Sequence, residues 1–154
     1  MKETRAYTVE ELLPHSGPML LIDELVDWGE DFVEVLVTHQ HPNIFSDAQG
    51  RVPGWVGIEY MAQAIGIFAG LKSKAKGESI KVGFLLGTRK YLSHLDCFAA
   101  QQAVSIRAQV LMYDEHDLAV FDCSIISEHT VLASAQIKAI QPKDSEAVIE
   151  LLSS

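Results

Sequence analysis

The chain has 154 residues, 48% hydrophobic and 21% charged, which suits one domain with a sizeable core and excludes a disordered or low-complexity chain. Twelve Lys plus Arg stand against 21 Asp plus Glu, a net charge of −9. That argues against broad nucleic-acid binding or a basic membrane-surface patch, and leaves small molecules and proteins as partners.

Met1-Lys2-Glu3-Thr4-Arg5 has no apolar run of the secretory kind, so a cytoplasmic location is expected. No solenoid period and no Pro/Ser/Gly-rich linker divides residues 1–154, which read as one domain. Thr8 to Leu13 reads as a short helix with a capping-box spacing, Thr8 to Glu11, closed by Pro14. Met19 to Val26 is an apolar strand candidate. Gly29-Glu30-Asp31 is a turn, and Phe32 to Thr38 is rich in β-formers, so a hairpin is expected.

His39 to Val52 follows as a long polar loop containing Pro42, Asn43, Ser46, Asp47 and Gly50, the kind of segment that carries function. From Val52 to Leu71 the chain changes character: VPGWVGIEYMAQAIGIFAGL contains one charge, Glu59. Ala, Met, Gln and Leu favour a helix, Pro53 suits its first turn, and Lys72 to Gly77 closes it. The run approaches a membrane span in length, but its glycines, Pro53, Glu59 and Gln63 make it a poor one. A helix apolar nearly all round is expected inside a core.

The remainder is strand-like. Ile80 to Leu86 is one run. Ala103 to Met112 alternates, with Val104, Ile106, Ala108, Val110 and Met112 on one face. Ala119 to Ser127 alternates after a turn at Asp114 to Asp117, and Val131 to Ile140 alternates after a tight Glu128-His129 connection. Ser145 to Leu152 suits a short terminal helix. Cys97 and Cys123 lack metal-ligand spacing and read as two buried, reduced thiols. The sum is α+β: one long buried helix and about six antiparallel strands, which must curl around it in the hotdog arrangement. Open sheet edges then favour dimerisation.

Glu59 is the most informative residue. A carboxyl on a buried helix face is costly to ionise and so becomes a usable general acid near neutral pH. Equally, it can pair with Arg51, Arg89 or a backbone group, or point to an exposed strip. Gln63, one turn on, either extends a polar strip from Glu59 or serves as a structural amide. Gly54 opens the helix, where free N–H groups polarise a carbonyl oxygen and a missing side chain admits a substrate. Of six histidines, His39 and His41 lie in the loop before the helix and are candidate bases. The HxH spacing also suits a metal pair, but no third ligand is near in sequence, so no metal is expected.

Three segments carry a family resemblance. LLPHSGPMLLIDEL (Leu12 to Leu25), VPGWVGIEYMAQA (Val52 to Ala64) and FLLGTRKYLSHLDCF (Phe84 to Phe98) together resemble the 3-hydroxyacyl-acyl-carrier-protein dehydratases of the hotdog superfamily. The WVGIEYMAQ wording and the long loop look most like the dehydratase-like proteins of aryl-polyene biosynthesis clusters. The resemblance implies that Glu59 is the catalytic carboxylate and that the Gly54 N–H polarises a thioester carbonyl. It implies a loop histidine across a dimer interface, for which His41 in His41-Pro42-Asn43 is the best match and His39 the second. Neither sits in the family's HFP wording, and the stretch from His41 to Pro53 is longer than usual. Gln63 would support the pair. The reaction implied is loss of water from a 3-hydroxyacyl thioester to give a trans-2-enoyl thioester, with no cofactor.

The implied partners are an acyl carrier protein bearing a phosphopantetheine-linked acyl chain and a second hotdog chain, in a homodimer or heterodimer. Hotdog thioesterase and non-catalytic acyl-binding subunit are the rival readings. Carrier proteins are acidic, so a net charge of −9 requires a local docking patch. Lys72, Lys74, Lys76, Lys81, Arg89 and Lys90 are expected to form it at a tunnel mouth.

Overall fold

The computed structural model describes residues 7–13, 17–78, 84–113 and 118–140. Residues 80–83 of the expected Ile80 to Leu86 strand, the turn at 114–117 and the terminal helix at 145–152 lie outside them.

Helix α1 is Val9–Leu12, with Thr8 as its N-cap and the Glu11 carboxylate accepting the Thr8 N–H at 3.3 Å. A 3-10 turn, Gly17–Met19, follows. The strands are β1 (Glu24–Trp28), β2 (Phe32–Val37), β3 (Val52–Pro53), β4 (Phe84–Ser93), β5 (Cys97–Phe98), β6 (Val104–Tyr113), β7 (Leu118–Ser127) and β8 (Thr130–Ile140). Six form one antiparallel sheet in the order β1-β2-β6-β7-β8-β4, and β3 pairs β5 separately. The edges of the large sheet are therefore β1 and β4.

The long helix α2 runs Gly57–Ala75 behind a 3-10 turn at Gly54–Val56. It ends in a Schellman closure: Gly77 has φ +68°, its N–H reaches the Lys74 carbonyl, and the Glu78 N–H reaches the Ser73 carbonyl. Its inner face (Tyr60, Met61, Ala64, Ile67, Phe68) packs on the buried alternate residues of the sheet, such as Val33, Val35, Ile106, Phe121 and Ile125. The Phe68 and Phe121 rings meet edge to face at 5.6 Å. Helix α1 crosses α2 at Gly70, where any Cβ would collide with the Leu12 carbonyl.

Three expectations are corrected. The strand read from Met19 begins only at Glu24, because the backbone at 19 and 21 is taken by the Gln63 amide rather than by a neighbouring strand. Met112 is 50% exposed rather than inward, because a bulge between Val110 and Met112 adds one residue and turns the following side chains to the other face. The helix is not buried all round: Trp55 and Glu59 are exposed, and Ala62, Gly66 and Ala69 are half-buried along the same stripe.

Candidate functional site

The head of α2 is fixed from both sides of Gly54. Its N–H donates to the Asp96 carbonyl at 2.8 Å, and its carbonyl accepts the Tyr91 hydroxyl at 2.6 Å. A Cβ here would lie 2.6 Å from the Leu95 carbonyl oxygen, so glycine is required by the close approach of the 93–96 turn. The expected role of the Gly54 N–H therefore meets an obstacle: that donor is already engaged inside the chain. The N–H groups of Trp55 and Val56 come next in a first turn whose donors no intrahelical carbonyl can reach. Trp55 is 57% exposed and stacks edge-on against Phe45 of the long loop, ring centres 5.4 Å apart.

Glu59 is exposed, so a single chain does not desolvate its carboxyl. The Arg51 pairing considered for it does not form, because Asp47 takes that guanidinium at 2.8 Å and Gln49 takes it at 3.2 Å. Gln63 lies about 40° further round the helix and is buried. Its Oε1 accepts the Leu21 N–H at 2.9 Å and its Nε2 donates to the Met19 carbonyl at 2.7 Å. Both ends of the amide thus hold the 19–21 segment onto α2, and no polar strip with Glu59 forms.

The two loop histidines have different surroundings. His39 is buried at the root of the loop with φ +55°, a left-handed conformation uncommon outside glycine. Its Nδ1 lies 2.6 Å from the Gln102 carbonyl and its Nε2 lies 2.7 Å from the Tyr60 hydroxyl. Its ring stacks on Phe98 at 5.4 Å. Burial holds the imidazole below its ordinary pKa, against the opposing pull of the Gln102 carbonyl and the Asp23 carboxylate. Since a carbonyl only accepts, Nδ1 carries the proton, and in the neutral ring Nε2 accepts from Tyr60. With both nitrogens engaged, His39 is poorly placed as a base or metal ligand.

His41 is exposed and lines the rim of a cavity of about 430 Å³ with Pro18, Leu20, Asp23, His39 and Asn43. Neither Gly54 nor Glu59 is among the residues that line that cavity.

The expected basic patch divides. Lys72 and Lys74 occupy the last turn of α2, with the Lys72 ammonium 5.2 Å from the Phe68 ring centre. The Tyr91 hydroxyl at Gly54 puts Arg89 and Lys90 near the opposite end, about 24 Å away along the helix. Lys90 itself has φ +53° within a β4 bulge. Tyr60, Tyr91, Asn43 and Gln102 are the site residues that sequence reading missed. Tyr60 had a legible signal, since a phenol on a buried helix face demands a hydrogen-bond partner.

A six-stranded antiparallel sheet applied to one long helix, with a carboxylate at the helix head, defines a hotdog-fold protein. Solved structures agree. The chain has a TM-score of 0.88 and 30% identity to a component of the dehydratase heterocomplex ApeI:P from Xenorhabdus doucetiae, covering 97% of this chain and 100% of that one. A thioesterase from Haemophilus influenzae matches with TM-score 0.54 at 18% identity, over 79% of this chain and 80% of that one. A hypothetical thioesterase with coenzyme A from Streptococcus pneumoniae matches with TM-score 0.57 at 14% identity, over 79% and 88%. Those two share the fold alone. Comparison with curated proteins gives no match. The family model for ApeP-like proteins, described as ApeP dehydratase, matches residues 7–150, and the chain belongs to that family.

Proposed function

We propose that this chain dehydrates 3-hydroxyacyl thioesters, carried on the phosphopantetheine arm of an acyl carrier protein, to trans-2-enoyl thioesters as one half of a two-chain site. Membership of the ApeP-like dehydratase family carries the reading. An exposed Glu59 at the head of α2, beside the tight turn at Gly54, supports it.

In the proposed step His41 takes the α-proton, made acidic by polarisation of the thioester carbonyl. The freed electron pair forms the carbon–carbon double bond as the C–O bond breaks. Protonated Glu59 gives its proton to the departing hydroxyl, which leaves as water. Because the Gly54 N–H is engaged by Asp96, the polarising donors in this scheme are the N–H groups of Trp55 and Val56. Glu59 does not line the cavity whose rim carries His41, and in this proposal a second hotdog chain completes the site. The solved relative described as a heterocomplex points the same way. Packing of that chain over the exposed stripe of α2 would also bury Glu59 and make it a better acid. Arg89 and Lys90, at the helix-head end, are then the proposed contacts for an acidic carrier protein, and Lys72 is not.

The test is hydration of an enoyl-acyl-carrier protein, followed by mass spectrometry, with the chain alone and with a partner hotdog dehydratase. Activity in the mixture that disappears on Glu59→Gln is the expected result. The engaged Gly54 N–H favours one rival, a non-catalytic acyl-binding subunit. That rival predicts mixed-complex activity that survives Glu59→Gln, and such a result would overturn the proposal. A thioesterase would instead release free acid and thiol.

A further inference from the structure

We infer that Tyr91 is a positioning residue for a donor that polarises the thioester. Its hydroxyl holds the carbonyl of the peptide unit whose other end is the Trp55 N–H, and Gly57 is glycine so that the phenol can reach it. The functional half of this inference rests on the dehydratase reading; the structural half does not.

Residues 54 and 55 share one planar peptide unit, in which the Gly54 C=O and the Trp55 N–H point in opposite directions. The carbonyl accepts the Tyr91 O–H at 2.6 Å and also the Gly57 N–H. Both of its lone pairs are then used, so the plane of the unit cannot turn without breaking a bond. The Trp55 N–H is thereby aimed back out of the helix head, in the first turn, where no earlier helical carbonyl is in reach. Hydrogen bonds in line polarise one another, so a phenol on the carbonyl also makes the N–H across the same unit a stronger donor. Burial holds the Tyr91 phenol above its ordinary range, which keeps the proton in place for this bond.

Two features of the chain bring the phenol there. The first is a bulge in β4. Its register with β8 runs Arg89 to Gln136 and then Leu92 to Ser134, three residues against two. Paired residues share a face, and Gln136 is exposed, so regular alternation from 89 would put position 91 on that outer face. The extra residue turns Tyr91 onto the core, and Lys90 just before it takes the left-handed φ +53°. A lysine in that conformation is strained, and such strain persists where the surroundings over-determine it. The second feature is Gly57. A Cβ at this position would collide with the Tyr91 hydroxyl and would lie 2.8 Å from an Ile125 methyl. Gly57 has φ −53°, so the glycine provides space and not backbone freedom. Notch, bulge and hydrogen bond converge on one atom, the Tyr91 oxygen, at the turn that leads into Glu59.

The test uses the full-length, isotopically labelled chain. Tyr91→Phe keeps the ring in its notch and removes only the hydroxyl. The Gly54 carbonyl-carbon resonance should move upfield, and the Trp55 amide-nitrogen resonance with it, as for a carbonyl with one hydrogen bond fewer. In a catalytically active mixture, a saturated acyl-carrier-protein thioester with a labelled carbonyl carbon reports polarisation directly, since it cannot lose water. Its infrared carbonyl stretch should be lowered on binding to the parent mixture, and lowered less with Tyr91→Phe. In the same mixture kcat should fall by about tenfold with KM within about twofold, because an aimed donor acts on the transition state more than on the bound substrate. A phenol that only fills space would leave resonances, stretch and kcat unmoved, because the phenyl ring fills the same space. Gly57→Ala keeps the hydroxyl but drives it off the carbonyl, and should give the same resonance and kcat changes. Its harm should be smaller in the Tyr91→Phe background, where the nearest ring carbon stands 3.3 Å from the new methyl. If Tyr91→Phe does not fold, Gly57→Ala decides the question by the same resonances. Unmoved Gly54 and Trp55 resonances would overturn the inference, as would moved resonances with an unchanged stretch and kcat. The resonances need no turnover, so inactivity in every mixture would sink the dehydratase reading while they still decide the clamp on the Gly54 carbonyl.

Discussion

Replacing Gln63 by Met isolates a structural role from a catalytic one. The two side chains are similar in length and volume, so no large cavity opens. What disappears is the pair of hydrogen bonds to the Leu21 N–H at 2.9 Å and the Met19 carbonyl at 2.7 Å. Leu21 is only 6% exposed, so its N–H is left in the core without water. An unsatisfied buried backbone group costs about 1–3 kcal/mol. The Met19 carbonyl is nearer the surface and can recover part of its loss from solvent, so the expected total is about 2–4 kcal/mol. For a domain of this size each kcal/mol lowers Tm by about 2–4 °C, so a drop of about 4–16 °C is expected. Chemical denaturation should show a lower midpoint with an unchanged slope, because the surface exposed on unfolding is the same. Amide exchange at Leu21 should rise more than at distant core amides such as Ile106. A melting temperature within about a degree of the parent, with Leu21 still protected, would refute the structural role.

Other perturbations follow from the same geometry. Gly54→Ala must push the 93–96 turn away, because its Cβ would lie 2.6 Å from the Leu95 carbonyl oxygen; a loss of about 1–3 kcal/mol in denaturation is expected, and a neutral result would contradict the close approach. The β7–β8 turn uses Glu128 at φ +48° and His129 at φ +67°, the two left-handed positions of a type I′ turn. Asn-Gly at 128–129 should therefore stabilise by about 1–2 kcal/mol, read as a higher denaturation midpoint. Burial pushes the Cys123 thiol up to about 12. The unfolded thiol titrates near 8.5, so the native state binds more protons above that pH. Stability that is fully present below about pH 8.5 should fall as pH rises toward 12, and Cys123 should resist alkylation at pH 8 until the chain unfolds. Rapid labelling of the native protein at Cys123 would show that the burial is wrong.

Much of this protein is written in local sequence. The Val52 to Leu71 run with its Lys-rich, Gly-ended close specified α2, and the spacing Thr8 to Glu11 specified α1. Alternation at 104–108 and 133–137 named the buried face of β6 and β8, and the Gly29 turn marked the first hairpin. These features depend on residues within a few positions of one another, where period and capping rules apply. The PG–IE–MAQ wording located the helix head for the same reason.

What the tertiary structure decided was which of those groups are free to act. Gln63 reads as a polar neighbour of Glu59 until its partner, 42 residues away, takes the amide. His39 reads as a candidate base until Gln102, 63 residues away, and Tyr60, 21 residues away, occupy its two nitrogens. The Gly54 donor is occupied by Asp96, and among the described residues the cations that cluster in sequence divide, Lys72 and Lys74 in the last turn of the helix and Lys90 toward its head. A single bulge at Leu111 moves Met112 from the expected core to the surface. Periodicity reports which side of an element a residue takes, but the state of a donor, an acceptor or a carboxyl depends on what long-range packing sets against it. At 154 residues and net −9, the chain states its fold and its candidate chemistry; only folding leaves Glu59 outside, His39 locked and His41 exposed.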